Sequence, residues 1–322
     1  MFESVDVSSS SRAGSGGVLV LGVFQPSREG QRPALDRGSQ KFDASGAIGD
    51  ALNRPEATGE PGRIIEAFGV GRKKGDFDRV IVVGLGKAES LSADTLRTAG
   101  AAVTRRLADT KATSASIELA PALEESGAAL AEDAAGRAFG EAVGIQSFNF
   151  DGLRGSGTTK AKRSKLTLRS SSKRFANGMD AGLGLGKSTN FSRWMSATPP
   201  NIATPAWMAE QARNLGKATG LKVTVIEGAA LEREKMIGLI NVGQASINKP
   251  CLIRVEYTPK GGKSGGQPLV LVGKTITYDT GGLSLKINNM MRGMKGDKDG
   301  GCAVLGAMHA IGSVNELLEL NP

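Results

Sequence analysis

With a single histidine and two cysteines in 322 residues, the chain has few of the usual catalytic options. A Ser-His-Asp triad or a Cys-His pair would have to use His309, and a HExxH zinc site needs a second histidine. His309 lies in the small, apolar, helix-like segment GAMHAIGSV, so a helix residue with a satisfied imidazole is its expected role. Cys251 and Cys302 form no CxxC and no disulfide framework, which fits a reducing compartment. Long apolar runs are missing too: PLVLVG at 268–273 is far short of a membrane span. The N-terminal MFESVDVSSSSRAGSGG has no basic start followed by an apolar core, so no signal peptide is expected and a cytoplasmic location is. Any catalysis here has to rest on carboxylates and lysines, with metal as the expected companion.

What is plentiful is glycine, at 45 residues, beside only ten Phe, two Trp and two Tyr. That balance, with 39% hydrophobic and 23% charged residues, points to a loop-rich α/β protein long enough for two domains. The net charge of +9 is uneven: residues 1–150 carry 17 basic and 20 acidic side chains, residues 151–322 carry 24 and 12. Arg154, Lys160, Lys162, Arg163, Lys165, Arg169, Lys173 and Arg174 follow one another with no acid among them. Such a run could attract nucleic acid, making a non-catalytic binding protein the alternative reading. It lacks interleaved aromatics, so a solvated linker or exposed strand is favoured and nucleic acid is not expected as a partner.

Strand-like and helix-like segments alternate along the first part. GVLVLGVF (17–24) and RVIVVG (79–84) read as buried strands, while 94–107 and 122–143 have helical character. The Gly-, Ser-, Thr- and Lys-rich stretch 152–172 reads as a connecting region. In the second part, Thr204-Pro205 supplies an N-cap and a proline at the first helical position, predicting a helix from Pro205 to about Lys217. Strands are expected at 222–227, 251–257 and 268–278, the last central by its apolar content, with helices at 229–236 and 299–314. The implied domains are 1–150, a basic linker at 151–175, and 176–322.

Two glycine motifs invite a nucleotide. AGLGLGKS (181–188) approaches GxxxxGK[ST], but Ala181 occupies the first glycine position and no buried strand precedes it. GLGKAE (84–89) follows a strand, yet Glu89 would repel a pyrophosphate, so an ordinary strand-to-loop turn is expected.

The stretch 273–304 is more informative. GKTITYDTGGLSLK, a short spacer, and MKGDKDGGCAV set Lys274, Asp279, Lys286 and Asp297 among glycine and apolar residues. Charges in such surroundings pair with one another or bind a metal, and carboxylates are hard ligands suited to divalent cations. Asp279 precedes Gly281-Gly282, where the backbone can turn sharply. Lys274 lies five residues before Asp279, on the opposite face of a regular strand, so the strand must bulge or end between them for both to share a site. A lysine ligates metal only as the neutral amine. Spacing alone leaves a metal site and a pair of Lys-Asp ion pairs both open.

This stretch resembles the signature of the leucyl aminopeptidase family of dinuclear metallopeptidases, GKGxTFDSGGxSLK…MKxDMxGAA. SATPPNIATPAWMAEQAR is similar to the family's NTPxNxxTPxxLAExA, INVGQAS to its VGxGS, and RVIVVGLGKAESLSADTLRTAG to its N-terminal strand-helix segment. The resemblance implies an α/β fold. A macro-like N-terminal domain would precede a truncated metallopeptidase domain with a central mixed sheet. It also implies two divalent metal ions, Mn or Zn, with Lys274 and Asp297 as ligands of one, Asp279 bridging both, and Lys286 as the catalytic lysine. Peptide substrates, release of N-terminal residues with leucine favoured, and a homohexamer complete the expectation.

Lys298-Asp299 departs from the pattern, standing where the family has Met and a small residue. Asp299 is expected as an N-cap of the following helix, with a substitute ligand as the alternative. The family's NTDAEGR signature, which supplies an Asp and a Glu as ligands and an Arg holding bicarbonate, is absent from the 322 residues. The resemblance therefore implies a fragment or truncated product that is inactive or nearly so.

Overall fold

The computed structural model describes residues 2–10, 17–28, 30–70, 77–127, 129–153, 155–156, 162–259 and 267–314. The chain forms two compact units, Met1–Lys187 and Ser188–Pro322.

The first unit runs β1 (Ser4–Ser9), β2 (Val18–Val23), α1 (Ala47–Leu52), β3 (Ile64–Phe68), β4 (Arg79–Gly84), α2 (Ala93–Asp109), β5 (Ser114–Glu118), α3 (Ala120–Ser126), α4 (Glu132–Gln146), β6 (Lys165–Ser170) and α5 (Lys173–Ala197). The last helix continues into the second unit. The strands form one mixed sheet in the order β1-β6-β5-β2-β4-β3, parallel except for β3, which pairs antiparallel with β4. Successive side chains of a strand point to opposite faces, so a strand covered on both sides reads as a continuous apolar run. VLVLGV and RVIVVG do. Val18, Val20, Ile81 and Val83 pack with Leu96, Val103, Phe139 and Phe175 of α2, α4 and α5. Leu19, Leu21, Val80 and Val82 pack with Ile48 and Leu52 of α1 on the other face.

The expected helix over 122–143 is two helices, because Gly127 adopts a left-handed conformation (φ 64°) that ends α3. The stretch expected as a connecting region contains β6, an internal strand between β1 and β5. Leu166 and Leu168 are buried on one side of it, while Lys165 and Arg169 take the alternate positions. Of the neighbouring bases, Arg163 pairs with Asp151 and Arg174 with Asp133. Arg154 and Lys160 lie outside the described residues.

AGLGLGKS is neither a loop nor a strand exit: it lies inside α5. Gly178, Gly182 and Gly186, spaced by four, face Gly136, Gly140 and Gly144 of α4. A Cβ at Gly182 would lie 1.9 Å from the Arg137 carbonyl oxygen, and one at Gly140 would lie 2.0 Å from that of Met179. These glycines let two backbones touch, and no amides are presented to a phosphate. GLGKAE is a strand-to-loop turn, its Gly86 amide donating to the Gly59 carbonyl and its carbonyl accepting from Gln25.

The second unit takes the end of α5, then α6 (Pro205–Thr219), β7 (Lys222–Glu227), α7 (Ala229–Arg233), α8 (Ile237–Gly243), β8 (Cys251–Glu256) and α9 (Asp299–Val314). Helix α6 starts as its sequence dictates: Thr204 Oγ1 accepts from the Trp207 amide at 3.3 Å, and Gly220 closes the far end at φ 73°. Strands β7 and β8 pair antiparallel. The core joins Met195, Met208, Leu215, Cys302, Leu305 and Met308 from α5, α6 and α9. The expected central strand at 268–278 is not found. The segment has no ladder partner among the described residues, and Leu269 and Val272 are 91% and 89% exposed. Strand formation needs a neighbour for the backbone groups, which apolar content alone does not provide.

Candidate metal and catalytic site

The segment carrying Lys274 is set against the start of α9. The Gly301 amide donates to the Lys274 carbonyl at 2.7 Å. Added Cβ atoms would lie 1.9 Å from Thr275 Oγ1 at Gly301 and 2.4 Å from the Gly300 carbonyl at Gly273. Only glycine permits this approach, which brings Lys274 beside the residues just before the helix. Its Nζ lies 2.8 Å from Asp297 Oδ1, with the lysine side chain mostly exposed and the aspartate largely buried. Asp297 ends a 3-10 turn over Met290–Gly296 and donates its amide to the Met294 carbonyl at 3.1 Å.

The other pair is closed by a tight loop. Gly281 sits at φ 91°, where a Cβ would lie 2.2 Å from the Ser284 carbonyl, and the Lys286 amide returns to the Thr280 carbonyl at 2.9 Å. This folds Lys286 back so that its Nζ meets Asp279 Oδ1 at 2.7 Å, beside Met294 Sδ. The Gly281 amide donates to the same carboxylate oxygen at 2.8 Å. The Lys286 hydrogen bond, chiefly, then the Gly281 amide and the charges of Lys286 and Lys274 hold the Asp279 carboxyl below its ordinary range against a smaller cost of burial. Lys274 adds the smallest of these contributions at Asp279. Because 268–278 is not a regular strand, the alternation that would have separated Lys274 from Asp279 does not apply.

The structure pairs Lys274 with Asp297 and Lys286 with Asp279. Among the described residues no three His, Cys, Asp or Glu side chains converge as a ligand group. Two carboxylates and one amine suit a single divalent cation, provided Lys274 sheds its proton; they are too few for two. Asp299 is not the N-cap. It is the first residue of α9, where its charge complements the helix dipole, and the Lys298 carbonyl accepts the first helical bond from Cys302 at 3.0 Å.

His309 takes a structural place. Its Nδ1 shares a 2.8 Å hydrogen bond with Ser188 Oγ, its ring packs 5.4 Å from that of Phe191, and burial lowers its pKa. Burial pushes the Cys302 thiol up to about 11, so it presents no thiolate. The residue that motif reading passed over is Lys298. It is 0% exposed, its Nζ donates to the Ser196 carbonyl at 2.9 Å and to the Lys295 carbonyl, and burial lowers its pKa. Its one signal in the sequence is a charge where the resembling pattern has Met.

Comparison with known proteins gives the family of this α/β chain. Residues 20–156 match the N-terminal domain of the cytosol aminopeptidase family, and residues 190–321 match its catalytic domain. The chain belongs to the cytosol aminopeptidase family. It is 34% identical over 304 residues to the "Probable cytosol aminopeptidase" of Nitrosospira multiformis, an alignment covering 91% of this chain and 56% of that protein. It is 43% identical over 136 residues to the protein of the same name from Helicobacter hepaticus, covering 42% and 28%. Among solved structures it is similar to the bottromycin maturation enzyme BotP in complex with Mn, with TM-score 0.69 and 25% identity over 93% of this chain and 56% of that one. The chain spans about half the length of the curated relatives it matches.

Proposed function

We propose that this chain carries part of the active site of a metal-dependent aminopeptidase that releases N-terminal residues, leucine favoured, from peptides. The reading rests most on one observation: Lys274–Asp297 and Lys286–Asp279 form two ion pairs in the unit that matches the family's catalytic domain. Lys274, Asp279 and Asp297 would hold a divalent cation, Mn or Zn. When bound, such a cation supplies Lewis acidity and lowers the pKa of water. Lys286 is the catalytic cation. The 280–286 loop fixes its ammonium, which donates a hydrogen bond to the peptide carbonyl oxygen as negative charge develops there. Asp279 keeps Lys286 oriented and, with its carboxyl below the ordinary range, stays ionised at neutral pH.

A second cation needs donors beyond these three. We therefore read the chain as part of a two-metal enzyme of this type, acting in the cytoplasm and assembled as a homohexamer, and expect it to be slow or inactive by itself. Among the described residues no helix is long and apolar enough to cross a membrane. The test is hydrolysis of leucine p-nitroanilide by the purified 322-residue chain with Mn2+ or Zn2+, beside calorimetric titration of the metal. Saturable binding of about one cation, lost in Asp297→Asn, with little turnover is expected. Robust turnover would overturn the reading of the chain as incomplete, and turnover unaffected by Lys286→Met would overturn the role of Lys286.

A further inference from the structure

Lys298 is a fully buried charge standing between a proposed ligand and a helix start, and the reaction as read above gives it no part. A buried ammonium is costly unless its donors are satisfied. Two of them are, and by carbonyls that lack better partners. The Ser196 carbonyl lies in the last turn of α5, and the residue four places on, which would supply its helical donor, is Pro200, with no N–H. The Lys295 carbonyl lies in the last turn before Asp297. Both helix ends carry partial negative charge, which a cation offsets. The Lys298 side chain therefore ties the end of α5 to the turn that presents Asp297. Its main-chain carbonyl meanwhile begins α9, whose Gly301 amide holds Lys274 in place.

We infer that Lys298 is a positioning residue: its buried ammonium clamps the 290–297 turn to α5 and so fixes the Asp297 carboxylate relative to Lys274. The inference rests on the reading of Asp297 as a ligand. In this chain a cation performs the task at a position where the resembling pattern has Met.

The test compares wild type, Lys298→Met and Met208→Ala in the 322-residue chain. Met208 is buried in the core of the same unit with Met195, Leu215 and Met308, so its variant controls for a general loss of stability. Hydrogen exchange is followed at the Asp297 amide, and Mn2+ affinity is measured by calorimetry. Lys298→Met should speed exchange at that amide by about tenfold and weaken Mn2+ binding by about tenfold, the size typical when a residue that orients a ligand is lost. Met208→Ala should leave both near wild type at a temperature where all three proteins are folded. Unchanged exchange in Lys298→Met, or unchanged Mn2+ affinity, would overturn the clamp. Wild type that takes up no Mn2+ would instead sink the metal reading, and exchange alone would then decide whether the clamp exists.

Discussion

Gly182→Ala separates two readings of the AGLGLGKS motif, because helix packing and phosphate binding demand different things of it. The alanine Cβ would lie 1.9 Å from the Arg137 carbonyl oxygen and 2.6 Å from the Glu141 nitrogen, both backbone atoms of α4 that cannot swing aside. The first contact is about 1.5 Å short of ordinary van der Waals distance, so the helices must separate and open a gap along the glycine row. Overpacking of this kind costs about 1–3 kcal/mol or more. Against it stands a helix-propensity gain of about 1 kcal/mol for replacing glycine by alanine. We expect the steric term to prevail by about 2 kcal/mol, because rigid backbone is what is struck. For a unit of this size that lowers Tm by roughly 4–8 °C in a circular dichroism melt. Gly140→Ala should cost a similar amount, and the two together less than their sum, since one separation relieves both overlaps. ATP should not raise Tm in any of these proteins. A higher Tm for Gly182→Ala, or ATP protection of wild type that the variant loses, would refute the packing account.

Other expectations follow from single groups. Burial raises the pKa of Glu118 despite its hydrogen bonds from Ser171, so the folded state holds this proton more tightly than the unfolded one. Its contribution to stability is then present below the unfolded pKa, about 4.3, and is lost as pH rises through the folded value. Glu118→Gln should raise Tm at pH 7, with the gain fading near pH 4; a gain that persists unchanged in acid would count against burial as the cause. Asp279 is the opposite case: Lys286→Met should raise its pKa toward the ordinary carboxylate range in a carboxyl 13C NMR titration, and an unmoved titration would show that Lys286 is not the main cause. For the thiols, burial raises both, but half-buried Cys251 should react with a disulfide reagent before the buried Cys302, whose thiol is pushed up to about 11. Equal rates in the folded protein would contradict the burial of Cys302.

Much of the fold is legible because its determinants are local. Thr204-Pro205 starts α6 at the expected residue, and KVTVIE spans β7 within its predicted bounds. The double burial of β2 and β4 is written in their unbroken apolar runs. Legibility fails where the decisive partner is distant. KLTLRS does alternate, with Leu166 and Leu168 inward, yet its lysine and arginine made it look like part of a basic linker; only β1 and β5 on either side make it an internal strand. PLVLVGKTITY is the converse, strand-like in composition but without a ladder partner among the described residues.

The same division runs through the candidate site. Lys274, Asp279, Lys286 and Asp297 stand out because they are charges in small, apolar surroundings, and the Gly281-Gly282 turn that joins two of them is visible beside them. Lys298 carries the same kind of charge in the same stretch, but its partners are carbonyls, and a carbonyl leaves no mark on the identity of its residue. One mark did exist a hundred positions upstream. Pro199-Pro200 denies the end of α5 its usual donors, so some side chain has to supply one, and a buried lysine beside Asp297 is able to reach it. An orphaned helix end and an unexplained buried cation are each ambiguous alone. Together they define a contact, and that contact sets where the Asp297 carboxylate can be.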